Sequence, residues 1–127
     1  MGPLYLGMPR AVQALVLVTQ NSDFTLNLLR CLSAARVQSH VMGIGRMPAI
    51  SWSRHCRKYT ACDAAAFDEP SESFTRAITD YCRRERIEIV LAANMRSALL
   101  LSRIKQDVAV GGTRVDVNKT WRPCNAS

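Results

Sequence analysis

The sequence Ala-Leu-Val-Leu-Val-Thr at residues 14–19 decides the fold, because its first five residues are all aliphatic. A continuous run of this length, rich in β-branched residues, is typical of a strand that is buried on both faces of a parallel sheet. Residues 20–23, Gln-Asn-Ser-Asp, follow with three helix-capping residue types in a row. Apolar residues then recur at helical spacing from Leu26 to Ala35, which predicts a first helix that ends near Arg36.

The rest of the chain repeats this order of strand, polar turn and helix. Residues 37–44 predict a second strand, so the first three elements form a βαβ unit with a right-handed crossover. The next predicted elements are a helical turn at 51–53, a short strand at 59–61 and a helix that starts at Ser71 and has Arg83, Arg84 and Arg86 in its last turn. A strand at 87–93, a helix at 98–104 and short strands at 108–110 and 113–115 follow. The expected fold is therefore α/β, a three-layer Rossmann-like domain over residues 11–117 with a mostly parallel sheet of three to five strands. Residues 1–10 are expected to be a loose leader and residues 118–127 a tail.

Composition narrows the classes of partner. The net charge of +7 would suit a polyanion, and the segment from Arg46 to Cys62 has four cations and no acid. The chain nevertheless has no long Lys/Arg run and no interleaved aromatic platform, so the sequence does not indicate nucleic-acid binding. No segment approaches the roughly 20 apolar residues of a membrane span, so no membrane partner is predicted.

The cysteines favour a cytoplasmic protein with reduced thiols. There are five of them, an odd number, and no two form a CxxC pair. A secreted disulfide scaffold would normally have an even set in a shorter chain. The helical pattern further predicts that Cys31 and Cys82 are buried.

Polar residues follow two of the predicted buried strands. Gln20, Asn21 and Ser22 come after the first strand, and Asn94 comes after the strand at 87–93. In open α/β sheets, ligands bind outside the carboxyl ends of the strands, so these four side chains are the predicted substrate contacts. The alternative is that they only cap the helices that follow. Neither GxGxxG nor GxxxxGK[ST] is present, so the turn does not indicate a dinucleotide or Walker site.

Other clusters of chemically active residues indicate a functional site less strongly. Arg54 and Lys58 lie in the basic stretch and are the predicted phosphate contacts, with a solvated surface as the alternative. His40, His55, Cys56 and Cys62 match no common zinc spacing, so no metal site is predicted. No catalytic residue is assigned, because a Cys/His nucleophile pair would lack an identifiable orienting group.

Several segments together resemble the amino-terminal, pre-ATP-grasp domain of ATP-grasp proteins, and in particular of carbamoyl-phosphate-synthase-like carboxylate–amine ligases. The similarity covers roughly residues 12–122. The matching segments are VLVT at 16–19, LSAAR at 32–36, VQSHVMGI at 37–44, SWSRHCRKY at 51–59, FTRAITDYCRRERIEIVLAAN at 74–94 and NKTWR at 118–122. One departure is that Gln20, Asn21 and Ser22 replace a more glycine-rich turn.

The resemblance implies a substrate-side or scaffolding domain of a ligase. Such enzymes activate a carboxylate with ATP as an acyl phosphate and capture it with an amine. In that family ATP, magnesium and most catalytic residues belong to the ATP-grasp module, which would begin at the tail. The expected partner is therefore that carboxyl-terminal module, and the resemblance gives no reason to expect ATP turnover or a bound cofactor in this chain alone.

Two other functions remain open at this stage. One is a free-standing Rossmann-like module that binds a nucleotide or phosphate. The other is an interaction domain that forms a homodimer through a sheet edge or an apolar face. Fold alone does not distinguish among the three.

Overall fold

The computed structural model describes residues 11–20, 22–110 and 114–116, which form five strands and five helices. The elements in chain order are β1 (Val12–Val18), α1 (Asp23–Ala34), β2 (Val37–Ile44), α2 (Pro48–Ser51), β3 (Cys56–Cys62), α3 (Ala64–Asp68), α4 (Glu72–Arg84), β4 (Ile89–Ala92), α5 (Met95–Val110) and β5 (Arg114–Asp116). The leader at 1–10, Asn21 and the tail at 118–127 lie outside the described residues.

The five strands form one parallel sheet in the order β3-β2-β1-β4-β5. The chain runs outward from β1 through β2 to β3, and then returns so that β4 pairs with the free side of β1. This order is that of a Rossmann-like sheet. The predicted three-layer α/β fold is therefore confirmed, with five strands.

Both faces of β1 are buried, as its uninterrupted aliphatic run predicts. Residues 14–18 are all fully inaccessible to solvent. Leu15 and Leu17 belong to the core beneath α4 and α5, whereas Val16 and Val18 belong to the core beneath α1. The central strand thus joins two separate hydrophobic layers, and burying five aliphatic side chains there contributes on the order of 1.5–3 kcal/mol for each larger one.

Serine caps start α1 and α4 where the sequence predicts them. The Ser22 hydroxyl accepts a hydrogen bond from the Thr25 backbone N–H at the start of α1. The Ser71 hydroxyl accepts one from the Phe74 N–H at the start of α4. Each bond satisfies a backbone donor that the first helical turn leaves without a partner.

Arginine occupies the turn after each of these helices. Arg36 and Arg86 have φ values of 64° and 57°, a left-handed conformation that usually favours glycine. Arg83 and Arg84 lie in the last turn of α4, as predicted. Arg86 was predicted in the same turn, but α4 ends at Arg84 and Arg86 follows it.

The structure corrects the predicted elements between β2 and α5. The short helix starts at Pro48 and not at residue 51, because proline suits the first helical position. Strand β3 is longer than 59–61, and α3 was not predicted. The predicted strand at 108–110 is wrong: Leu101, Ile104 and Val108 keep helical spacing, and burying this stripe extends α5 to Val110.

The cysteine prediction is correct only in part. Cys82 is buried, and Cys56 and Cys62 are thiols. Cys31 is half-buried and disulfide-bonded, so the prediction of a buried, reduced side chain is wrong at that position. Burial raises the pKa values of Cys56 and Cys62, which makes both of them weak nucleophiles.

Replacing Val16 by aspartate should unfold the domain. The new carboxylate would lie in a fully buried position without a partner, at a cost of about 4 kcal/mol or more, a large part of the stability of a domain of this size. Chemical denaturation of the variant measures the loss. Ala61→Asp, at an exposed position of β3, is the control and should cost less than about 1 kcal/mol. Wild-type stability of Val16→Asp would contradict the central position of β1.

Candidate functional site

The reversal of strand order between β1 and β4 creates a crevice at the carboxyl edge of the sheet. Because β2 and β4 lie on opposite sides of β1, the connections that leave β1 and β4 diverge to opposite faces. Helix α1 covers one face and α5 the other, and both begin at this edge. This switch point is the usual ligand position in open α/β sheets.

Asn94 connects the two loops of the crevice. Its Nδ2 donates a hydrogen bond of 2.6 Å to the hydroxyl of Thr19, the first residue after β1. Its Oδ1 accepts a hydrogen bond from the backbone N–H of Ser97, so the same side chain caps α5. The two loops therefore meet, and Asn94 contacts Thr19 in addition to capping a helix.

The other predicted substrate residues are placed differently from one another. Ser22 caps α1, and its Oγ is also 3.1 Å from the hydroxyl of the buried Thr25. Gln20 is exposed beside this turn. Asn21 stays a prediction, because it lies outside the described residues. The alternative of simple capping is thus observed for Ser22, while Gln20 is placed where a ligand can reach it.

The start of α5 is the more electropositive of the two helix starts. Asp23 lies in the first turn of α1 and offsets the partial positive charge there, whereas the first turn of α5 has no acidic residue. The Ser97 hydroxyl in that turn is completely buried and has no hydrogen-bond partner among the described residues. Leaving a buried hydroxyl of this kind unpaired is costly.

Large apolar side chains are exposed next to this crevice. Met95 and Leu99 lie one turn apart on α5 and are 74% and 57% exposed. Exposed apolar residues that adjoin each other indicate a contact surface more strongly than isolated ones do.

The two predicted phosphate contacts lie apart. Lys58 Nζ is 3.9 Å from Glu85 Oε2 and 5.6 Å from the centre of the Tyr81 ring, so it faces the end of α4. Arg54 instead lines a pocket that it shares with Arg36, at the end of α1. The two cations therefore do not contribute to one site.

A buried histidine lies between β2 and α4. His40 is 1% exposed, with Nδ1 2.8 Å from the Tyr81 hydroxyl and Nε2 2.8 Å from Gln13 Oε1. The amide nitrogen of Gln13 donates to Gln38, so the Oε1 of Gln13 accepts a hydrogen bond from His40. The ring proton of His40 therefore lies on its Nε2, and the Tyr81 hydroxyl donates to its Nδ1. All three side chains have partners, which is typical of a structural network.

Electrostatics keep this network neutral. Burial lowers the pKa of His40; Glu85 opposes this, and Arg57 and Lys58 add to it. Burial also raises the pKa of Tyr81 to about 12, with Glu85 contributing in the same direction. A neutral imidazole and a protonated phenol are therefore the favoured states at neutral pH.

Two further features bear on ligands and location. The part of the chain that the structure describes holds no group of three or more His, Cys, Asp or Glu side chains placed to bind one metal ion. Among its helices, none has both the length and the apolar content of a membrane span.

Comparisons with known proteins leave the family open. No protein-family model matches the chain. No curated protein matches it either.

Stability should fall when the pH drops below about 6.5. The folded state lowers the pKa of His40, so the unfolded chain binds a proton that the folded chain resists. At a pH above the pKa of His40 in the unfolded chain, the neutral ring contributes fully to stability. Below that pKa, the free energy of unfolding decreases by at most about 1.4 kcal/mol per pH unit for one proton. Urea denaturation between pH 7.5 and 5 measures this slope. His40→Gln should flatten it, and an equal slope in the variant would contradict the assignment to His40.

Proposed function

We propose that this chain is the amino-terminal, substrate-side domain of an ATP-grasp-type carboxylate–amine ligase. The observation that carries the proposal is the Asn94–Thr19 contact, which joins the two polar loops at the sheet's switch point. The similarity of several segments to pre-ATP-grasp domains supports the same function. In this function the crevice holds the acceptor substrate while a second module supplies the activation chemistry.

The chemistry of the crevice favours a carboxylate as the bound group. Four of its polar side chains, Thr19, Gln20, Ser22 and Asn94, are uncharged, and its one acid, Asp23, lies on the α1 side. The start of α5 adds backbone N–H groups and a partial positive charge without a nearby acid in its first turn. Such a site orients a carboxylate with hydrogen bonds and does not neutralise it, which leaves its oxygen reactive towards a phosphoryl donor.

ATP and magnesium are assigned to the second module. Magnesium in nucleotide sites is usually held by one or two carboxylates together with substrate phosphates. The side chains of Thr19, Gln20, Ser22 and Asn94 carry no carboxylate. The crevice also lacks the glycine-rich turn that lets a backbone approach polyphosphate closely. These residues therefore do not fit the nucleotide, and no step of the activation is derived from them.

The exposed apolar side chains of α5 suit the docking of such a module. Met95 directly follows Asn94, and Leu99 lies on the next turn of the same helix. A module that covers them would close the carboxyl edge of the sheet and exclude water from the reacting groups. A homodimer through the same face is the competing use of this surface.

Carboxylate binding should perturb the crevice and no other region. We expect titration of the ¹⁵N-labelled chain with a panel of amino acids and dicarboxylates to shift the backbone amides of Thr19, Gln20 and residues 94–97. Asn94→Ser keeps a capping hydroxyl but removes the amide that binds Thr19, so it should weaken binding about fivefold or more.

The matched control is Gln106→Ser, an exposed amide near the other end of α5. It should bind the same ligand with unchanged affinity. Shifts that are scattered over the surface, or equal affinity in Asn94→Ser and the wild type, would contradict a carboxylate site at the switch point.

A further inference from the structure

A second polar pocket lies at the amino edge of the sheet, opposite the crevice. It has a volume of about 480 Å³ and is open to solvent on one side. The end of α1, the start of β2 and the loop before β3 form it. Its polar lining comprises Ser33, Arg36, Gln38, Ser39, Arg54 and Arg57, together with His55.

The charge of this pocket is of one sign. Among the described residues, three arginines line it and no carboxylate does. None of the three forms an ion pair with an acidic side chain in the described part of the chain, where the basic partners are Lys58, Arg84 and Arg96. Arg57 Nη1 donates a hydrogen bond of 3.0 Å to Gln38 Oε1, which holds its guanidinium at the rim. The like charges repel one another, so an anion bound between them would be stabilised.

Ser39 supplies an independent sign of a ligand. It lines this pocket, is 1% exposed, and its hydroxyl forms no hydrogen bond with the described residues. A buried hydroxyl without a partner destabilises a fold. Alanine would remove that cost at this strand position, so the hydroxyl has a use that the described residues do not supply.

We propose that this pocket binds the phosphate group of a small phosphorylated metabolite. One guanidinium group can donate two parallel hydrogen bonds to two phosphate oxygens. Three guanidinium groups and one hydroxyl can therefore surround a tetrahedral dianion. The volume exceeds what a phosphate ion fills, which leaves space for the molecule that carries it. The pocket is concave, and the described residues that line it include no Phe, Tyr or Trp, which favours a small molecule over a nucleic-acid strand.

A larger pocket of the described structure does not compete for this ligand. It lies between α4 and α5 and has about 930 Å³, but Glu69, Glu72 and Asp80 line it together with its arginines. Mixed charges of this kind neutralise one another and are typical of a solvated groove. The amino-edge pocket is also separate from the crevice, so its ligand differs from the substrate of the proposed ligase.

Binding is tested with isothermal titration calorimetry on the full 127-residue chain in a buffer without phosphate or sulfate. The probes are inorganic phosphate and ribose 5-phosphate. The proposal predicts saturable binding at one site, with ribose 5-phosphate the tighter of the two. Equal affinity for both probes would overturn the assignment to a phosphorylated metabolite, because the molecule that carries the phosphate would then contribute no contact.

Variants assign the binding to this pocket. Arg54→Gln and Arg57→Gln should each weaken it about tenfold or more, because each removes a charge-assisted hydrogen bond. Ser39→Ala should weaken it about fivefold without lowering the melting temperature. Arg36→Gly should weaken binding and leave the protein at least as stable, since glycine suits a φ of 64°. Loss of binding in a protein that is no less stable excludes misfolding as the cause.

Two control variants distinguish binding at this pocket from a nonspecific charge effect and from binding at the crevice. Arg83→Gln removes the same charge from an exposed position of α4 and should change the affinity less than twofold. Asn94→Ser should leave phosphate binding unchanged, so failure of the crevice proposal would not affect this one. Absence of saturable binding by either probe would overturn the proposal. An equal loss in Arg83→Gln and Arg54→Gln would overturn it as well, because it would show a nonspecific charge effect.

Discussion

The pairing of β1 with strands on both of its sides is the constraint on which the rest of the structure depends. A strand in that position must be buried on both faces, and residues 14–18 satisfy this with five fully inaccessible side chains. Because β4 occupies the side of β1 that β2 leaves free, the chain has to reverse its direction across the sheet after β3. That reversal separates α1 from α5 and opens the crevice between their first turns.

The same constraint distributes the polar chemistry between two edges. At the carboxyl edge, uncharged capping groups meet, with Asn94 serving both α5 and the loop after β1. At the amino edge, the turn after α1 and the loop before β3 bring arginines together beside the buried Ser39 hydroxyl. An orienting site for a carboxylate and a strongly cationic site for a phosphate can therefore exist in one small domain without competing.

Much of the fold could be predicted because the decisive signals are local. The aliphatic run of β1, the serine caps of α1 and α4, and the bounds of β2 all follow from neighbouring residues. The end of α5 could not be predicted from local propensity, since Val108 favours a strand by residue type but completes a buried helical stripe. The five-residue α3 was missed because Ala64–Asp68 is too short to show a period.

The sites were less accessible to sequence reasoning than the fold. Asn94 and its neighbourhood could be found because polar residues after buried strands are a local pattern, but its partner Thr19 is 75 residues away along the chain. The grouping of Arg36 with Arg54 and Arg57 depends on the parallel pairing of β2 with β3, and residue spacing does not show it. The same pairing explains why Lys58, which is next to Arg57 in sequence, faces α4 instead.

A double-mutant cycle between Thr19 and Asn94 tests most directly whether the two loops meet at the switch point. Thr19→Val removes the accepting hydroxyl with little change of shape, and Asn94→Ser removes the donor while it keeps the cap. Urea denaturation of the wild type, both single variants and the double variant gives the coupling free energy. The account predicts about 0.5–1.5 kcal/mol of favourable coupling, and additivity within about 0.3 kcal/mol would contradict it.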